Sequence, residues 1–138
     1  MRRSTLPETV AGVPCLRLRA PDGASALVSR WGAQVLSWCP AGGSERLFLS
    51  ERAVLDGSAP IRGGVPLVFP QFANHGPLAA HGFARDRLWE IQELRHDGIT
   101  LALRDNDELR ALWPHAFACE FSVCLDGPSL ELELRVSN

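Results

Sequence analysis

Four side chains in one stretch of the sequence are suited to gripping a small polar molecule. They are Arg62, Gln71, His81 and Arg85, in "IRGGVPLVFPQFANHGPLAAHGFARDRLWEI", residues 61–91. An uncharged amide, an imidazole and two guanidinium groups suit a polyhydroxylated, acidic small molecule, because an arginine fork holds phosphate or carboxylate through two hydrogen bonds at once. The backbone around them is built to be stiff. Gly63-Gly64 allows a tight bend, or a close approach to a ligand with no Cβ in the way. Pro66 and Pro70 fix φ on either side of Leu67-Val68-Phe69 and set Gln71 at the end of a short extended run. His81-Gly82 repeats this logic, with Arg85 four residues on; in an extended chain that spacing places His81 and Arg85 on one side.

Other reactive residue types read as structural. His75 in "ANHGP" belongs to a surface turn, His96 to a solvated hairpin turn, and His115 to a bend after Trp113-Pro114. Trp31, Trp38, Trp89 and Trp113 are core candidates, and Glu90 and Glu93 lie on a strand facing water. The four cysteines, Cys15, Cys39, Cys119 and Cys124, form no CxxC. Cys119 and Cys124 fall on opposite faces of a strand, so they do not share a metal and no metal site is expected. There is no HxH with a following carboxylate, no GxSxG and no GxGxxG, which removes the simplest cupin, hydrolase and dinucleotide-binding readings.

The elements that must position these residues are strands. "PCLRLRA", "SALVSRWGAQVLSW" and "RLFLS" precede the segment and are separated by Pro21-Asp22-Gly23 and Gly42-Gly43. "LWEIQELR" and "ITLALRD" flank His96-Asp97-Gly98, an Asp-Gly hairpin signal. "FACEFSVCLDG" and "SLELELRVSN" flank a second turn at Asp126-Gly127-Pro128. In the last strand Leu130, Leu132, Leu134 and Val136 alternate with Glu131, Glu133 and Arg135, the period-two pattern of a half-buried strand. Only "ERAVLD" and "NDELRAL" suggest single helical turns. Short strands with regular turn signals predict an all-β antiparallel β-sandwich, and the 138 residues suffice for a single domain, 1–138.

Composition narrows the partners. With 46% hydrophobic and 22% charged residues the chain is globular in type, and a net charge of -2 gives no electrostatic reason to expect nucleic acid or an acidic membrane. All 14 basic residues are arginine, so arginine abundance carries no message of its own and each one is judged by its place. "MRRSTLPETVAGVPCLRLRA" lacks the apolar run of a signal peptide, and no stretch approaches the roughly 18 apolar residues of a membrane helix. Unpaired thiols without an export signal point to a reducing cytoplasm.

"IRGGVPLVFPQF" followed by "HGFARDRLWEI" resembles the paired signature of the aldose 1-epimerase superfamily, and most closely its glucose-6-phosphate 1-epimerase (hexose-6-phosphate mutarotase) branch. "GAQVLSWCPAG", "RLFLSERAVLDGSAPIRGG", "WPHAFACEFSV" and "LELELRVSN" fall in the order of that branch, so the resemblance runs over nearly the whole chain. Ala73 stands where the branch usually has glycine. The resemblance implies a galactose mutarotase-like β-supersandwich and interconversion of the α and β anomers of a hexose 6-phosphate, an isomerase reaction that needs no cofactor. It also implies that Arg62, Gln71, His81 and Arg85 are substrate-binding positions, with the arginines near the phosphate and His81 on ring or hydroxyl oxygens.

In that family a histidine soon after the "VxN" strand is the general acid and a glutamate near the C-terminus the general base. Both would lie C-terminal to Asn138. The resemblance therefore implies that the chain is the N-terminal part of the supersandwich, incomplete as given and with no catalytic residue of its own. Such a chain would be marginally stable, or would associate through the exposed sheet edge left by its last strand. The alternatives are a non-catalytic carbohydrate-binding module, a domain completed by a second polypeptide, and an aldose 1-epimerase acting on unphosphorylated sugar.

Overall fold

The computed structural model describes residues 4–138; Arg2 and Arg3, the basic pair of the N-terminal stretch, lie outside them. Two four-stranded antiparallel sheets face each other. The first runs in chain order through β1 (Ser4–Val10), β2 (Val13–Arg19), β3 (Ser25–Ser29) and β4 (Val35–Cys39), and the second through β5 (Glu90–Arg95), β6 (Gly98–Arg104), β7 (Ala118–Asp126) and β8 (Ser129–Ser137). A short helix, α1 (Asp107–Leu112), joins β6 to β7. The architecture is thus the all-β antiparallel sandwich that the alternation predicts. No helix is long and apolar enough to cross a membrane among the described residues.

Period two decides which side chains meet. Leu16 and Leu18 of β2 and Ala26 and Val28 of β3 point between the sheets, where they join Ile99, Leu101 and Leu103 of β6 and Cys119, Phe121, Val123 and Leu125 of β7. Trp89 lies fully buried in this cluster and its Nε1–H donates to the Ala84 carbonyl at 2.9 Å. The intervening residues of the first sheet, Cys15, Leu27 and Leu36, face the other way and are covered by Val10, Leu49, Leu55 and Ile61.

That cover explains two departures from the sequence reading. "RLFLS" forms no strand: only Leu49 makes a bridge, to Gly63, and "ERAVLD" holds a turn and no helix. Leu49 and Leu55 cover the outer face of the first sheet, Leu47 packs against the main core, and Phe48 and Val54 stay exposed, so the apolar spacing mimics strand periodicity without a strand partner. β1 was not expected, because "STLPETV" has a central proline and no apolar alternation. It is an edge strand, where Pro7 can sit opposite Leu16 without breaking a central ladder. The hairpins at Asp97-Gly98 and Gly127-Pro128 form as expected, and "NDELRAL" yields α1, capped by the Asn106 side chain accepting from Leu109 N at 2.8 Å.

β8 occupies the far edge of the second sheet, with Leu130 and Leu132 against the core and Leu134 and Val136 left 40% and 47% exposed. The four leucine and valine positions therefore do not share one environment, although they share one face.

Glu45 ties the end of β4 to the loop that follows. Its carboxylate accepts from Ser37 Oγ, Trp38 N, Leu47 N and Cys39 Sγ. Desolvation pushes its pKa up, but the bonds from Ser37, Trp38 and Leu47 outweigh it and hold the group below its usual value. A carboxylate depressed in the fold stabilises above its unfolded pKa and loses that contribution as pH falls through the folded one. Urea midpoints should therefore drop below about pH 4, and Glu45→Gln should remove part of that acid dependence while lowering the midpoint at neutral pH. An unchanged acid limb in the variant would contradict this.

Candidate functional site

The long connection from β4 to β5 carries the four residues, and two separately tied turns present them. In the first, Val65 pairs with Val35 and Gly63 with Leu49, so the chain is laid along the open edge of β4. Gly63 and Gly64 have φ of 124° and 65°. A Cβ on Gly64 would lie 2.1 Å from the Val35 carbonyl oxygen, and one on Gly63 2.3 Å from that of Phe48. Both positions need glycine for their dihedral angles and for the close backbone approach. The buried Gln34 side chain donates to the Gly63 carbonyl at 2.6 Å, locking the turn from below. Ser50 N donates to the Arg62 carbonyl at 3.0 Å, while the Arg62 guanidinium is exposed and has no hydrogen bond or ion pair among the described residues.

In the second turn the Phe69 carbonyl accepts from Phe83 N at 3.0 Å and Ala84 N at 3.1 Å, closing the loop after the cis Phe69–Pro70 peptide. Inside it Gln71 is 7% exposed and its amide is fully engaged. Nε2 donates to the carbonyls of Ala73, Leu78 and Ala79, and Oε1 accepts from Leu78 N at 2.9 Å. Gln71 thus binds its own loop.

His81 stands at φ 67°, and two bonds join it to Ala73: its N–H donates to the Ala73 carbonyl, and its Nδ1 accepts from Ala73 N, both at 3.1 Å. An Nδ1 used as acceptor places the proton of the neutral ring on Nε2, which is then the free donor. Arg85 lies in a single 3₁₀ turn, Ala84–Asp86, and its Nη2 folds back to the Ala80 carbonyl at 3.2 Å. This fold-back brings Arg85 to the carbonyl of the residue before His81, and the extended run that the spacing suggested is absent. Arg85 Nε is buried without a partner, and no carboxylate pairs with this guanidinium among the described residues.

Three features escaped the sequence reading. Gln34 gave one signal, a polar residue inside the apolar run "GAQVLSW". Phe72 and Phe48, 65% and 75% exposed, gave none. The other histidines are placed as expected: His75, His96 and His115 are exposed, with His75 against Phe72 and His115 against Trp113. A cavity of about 350 Å³ beside the second turn is lined by Leu78, Phe83, Asp86, Arg87 and Leu112 among others and includes none of the four residues. Its Arg87 is committed to Glu108 at 2.9 Å.

The aldose 1-epimerase family matches residues 14–138. A protein of Cenchrus ciliaris, provisionally named glucose-6-phosphate 1-epimerase, is 38% identical over 96% of this chain and 44% of its own. Among solved structures, one from Salmonella typhimurium described provisionally as a mutarotase (YeaD) superposes with TM-score 0.83 at 28% identity, over 98% of this chain and 47% of that one. A galactose mutarotase related enzyme from Lactobacillus acidophilus gives TM-score 0.69 over 96% of this chain and 43% of that one; at 21% identity it speaks for the fold alone. The chain spans less than half the length of the curated relatives it matches.

Proposed function

The chain belongs to the aldose 1-epimerase family, and from that premise we propose that it holds a hexose 6-phosphate during interconversion of its α and β anomers, in the cytoplasm. The observation that carries this reading is the pair of guanidinium groups that no carboxylate neutralises among the described residues, Arg62 and Arg85, on two stiffened turns, the second also bearing His81 with its Nε2–H free. In a chain of net charge -2 they supply the local positive charge that a phosphate dianion needs. His81 donates to a ring or hydroxyl oxygen, and Gln71 serves the site by keeping the loop in shape.

Anomer exchange needs a base that removes the C1 hydroxyl proton and an acid that protonates the ring oxygen as its bond to C1 breaks. C1 then rotates and the steps reverse on the other face. The reading assigns both proton-transfer groups to residues outside these 138, and binding and orientation to this chain, as the N-terminal part of the supersandwich.

Titration calorimetry tests the reading. The chain should bind glucose 6-phosphate more tightly than glucose, and Arg85→Ala should cut that preference by about 10- to 100-fold, the worth of a hydrogen bond to a charged group. A preference untouched by Arg85→Ala would move the reading to unphosphorylated aldoses. Anomer exchange above the spontaneous rate by the chain alone, followed by NMR saturation transfer, would overturn the placement of the acid and base.

The isolated chain is further proposed to self-associate along β8. Antiparallel pairing about Leu134 sets Glu133 opposite Arg135 of a second copy and covers Leu134 and Val136. Leu134→Lys should then abolish concentration-dependent sedimentation; a parent chain that stays monomeric at every concentration refutes it.

A further inference from the structure

Phe72 is a large apolar ring left 65% exposed on a backbone that is held on both sides. Gln71 before it is buried and bonded four times into the loop, and Ala73 after it is joined to His81 by two hydrogen bonds. The ring itself meets two imidazoles. His75 stacks on it with centroids 6.3 Å apart and planes 14° from parallel, and His81 meets it edge-on at 5.2 Å. Singly exposed apolar side chains are ordinary on a protein surface. An exposed aromatic ring fixed in orientation, directly beside a histidine whose Nε2–H is free, is a more specific arrangement.

We infer that Phe72 is the stacking plate for the pyranose ring and a specificity-determining residue of the site. The inference rests on the sugar-phosphate reading above. A pyranose is polar around its rim, but the C–H bonds of its two faces carry small positive charge. The face of a phenyl ring carries the negative part of its quadrupole, so the two attract and both lose water on contact. Hydroxyls at the rim remain free to accept from His81 Nε2–H, which the edge-on contact holds next to the plate. The arginines grip the phosphate and discriminate charge; the plate and His81 recognise a closed sugar ring, which an inorganic anion lacks.

The test compares glucose 6-phosphate with inorganic phosphate, as binding constants and as proton shifts of the sugar. Phe72→Leu keeps an apolar side chain of similar bulk without a π face, and Phe72→Trp keeps the face. Phe72→Leu should weaken glucose 6-phosphate about 5- to 10-fold, leave inorganic phosphate unchanged, and abolish the upfield ring-current shift of the sugar C–H resonances. Phe72→Trp should restore both affinity and shift. Equal binding by wild type and Phe72→Leu, or equal losses in Phe72→Leu and Phe72→Trp, overturns the stacking role while the sugar-phosphate reading stands. Failure of the wild-type chain to bind glucose 6-phosphate overturns both.

Discussion

Trp89→Ala should lower the free energy of unfolding by about 3–5 kcal/mol, measured as the shift of a urea transition. The indole is fully buried between the sheets, so truncation leaves a cavity that a close-packed interior fills only in part. Its hydrogen bond is lost as well: Nε1–H donates to the Ala84 carbonyl, inside the turn that carries Arg85. Trp89 also bonds Arg30 twice, through its own N–H to the Arg30 carbonyl and its carbonyl to Arg30 Nε. The indole thus couples the core to the candidate site, and glucose 6-phosphate affinity should fall in a variant still folded at low temperature. Trp89→Phe keeps most of the volume and removes the indole bond, for an expected loss of about 1–2 kcal/mol. A Trp89→Ala cost below about 1 kcal/mol would mean that the packing described for this residue is wrong.

Gly64→Ala should cost about 3–5 kcal/mol, combining left-handed backbone strain with a steric clash. The clash is with the Val35 carbonyl oxygen, 2.1 Å from the new Cβ, and this atom belongs to β4 and has no freedom to swing away. Gly12 provides the control. Its φ is 80° but nothing lies within 4 Å of an added Cβ, so Gly12→Ala should cost only the conformational part, about 1–2 kcal/mol. Denaturation of the two variants side by side separates the two effects, and equal costs would remove the clash from the account. Any displacement at Gly64 also moves Arg62, two residues away, so phosphate binding should weaken in Gly64→Ala and stay normal in Gly12→Ala.

Much of the sandwich was legible because its signals are local. The hairpins announce themselves by Asp97-Gly98 and Asp126-Gly127, where Gly127 takes φ 56° and a Cβ on Gly98 would lie 2.5 Å from the Val123 carbonyl oxygen, and β6 and β7 by alternation that matches the pleat. "RLFLS" shows the limit of such signals. Its alternation is real, but Leu49 covers Cys15, Leu27 and Leu36 while Leu47 packs against the main core, and no neighbouring strand is there to pair with it. β1 shows the converse, a strand made by its neighbour β2 and with little pattern of its own.

The candidate site divides in the same way. Residue types and the paired glycines, readable from the order of amino acids, determined which groups are present and where the backbone must bend, because φ preferences and functional groups belong to single residues. Only the tertiary structure decided what each group is free to do. Gln71 turns inward and spends its amide on its own loop, His81 is left with Nε2–H by a bond from Ala73, and Arg85 is folded back by a 3₁₀ turn. Phe72 is set in the open against two histidines. Hydrogen-bond partners and exposure depend on which distant backbone atoms arrive at the same place, and that arrangement belongs to the fold as a whole.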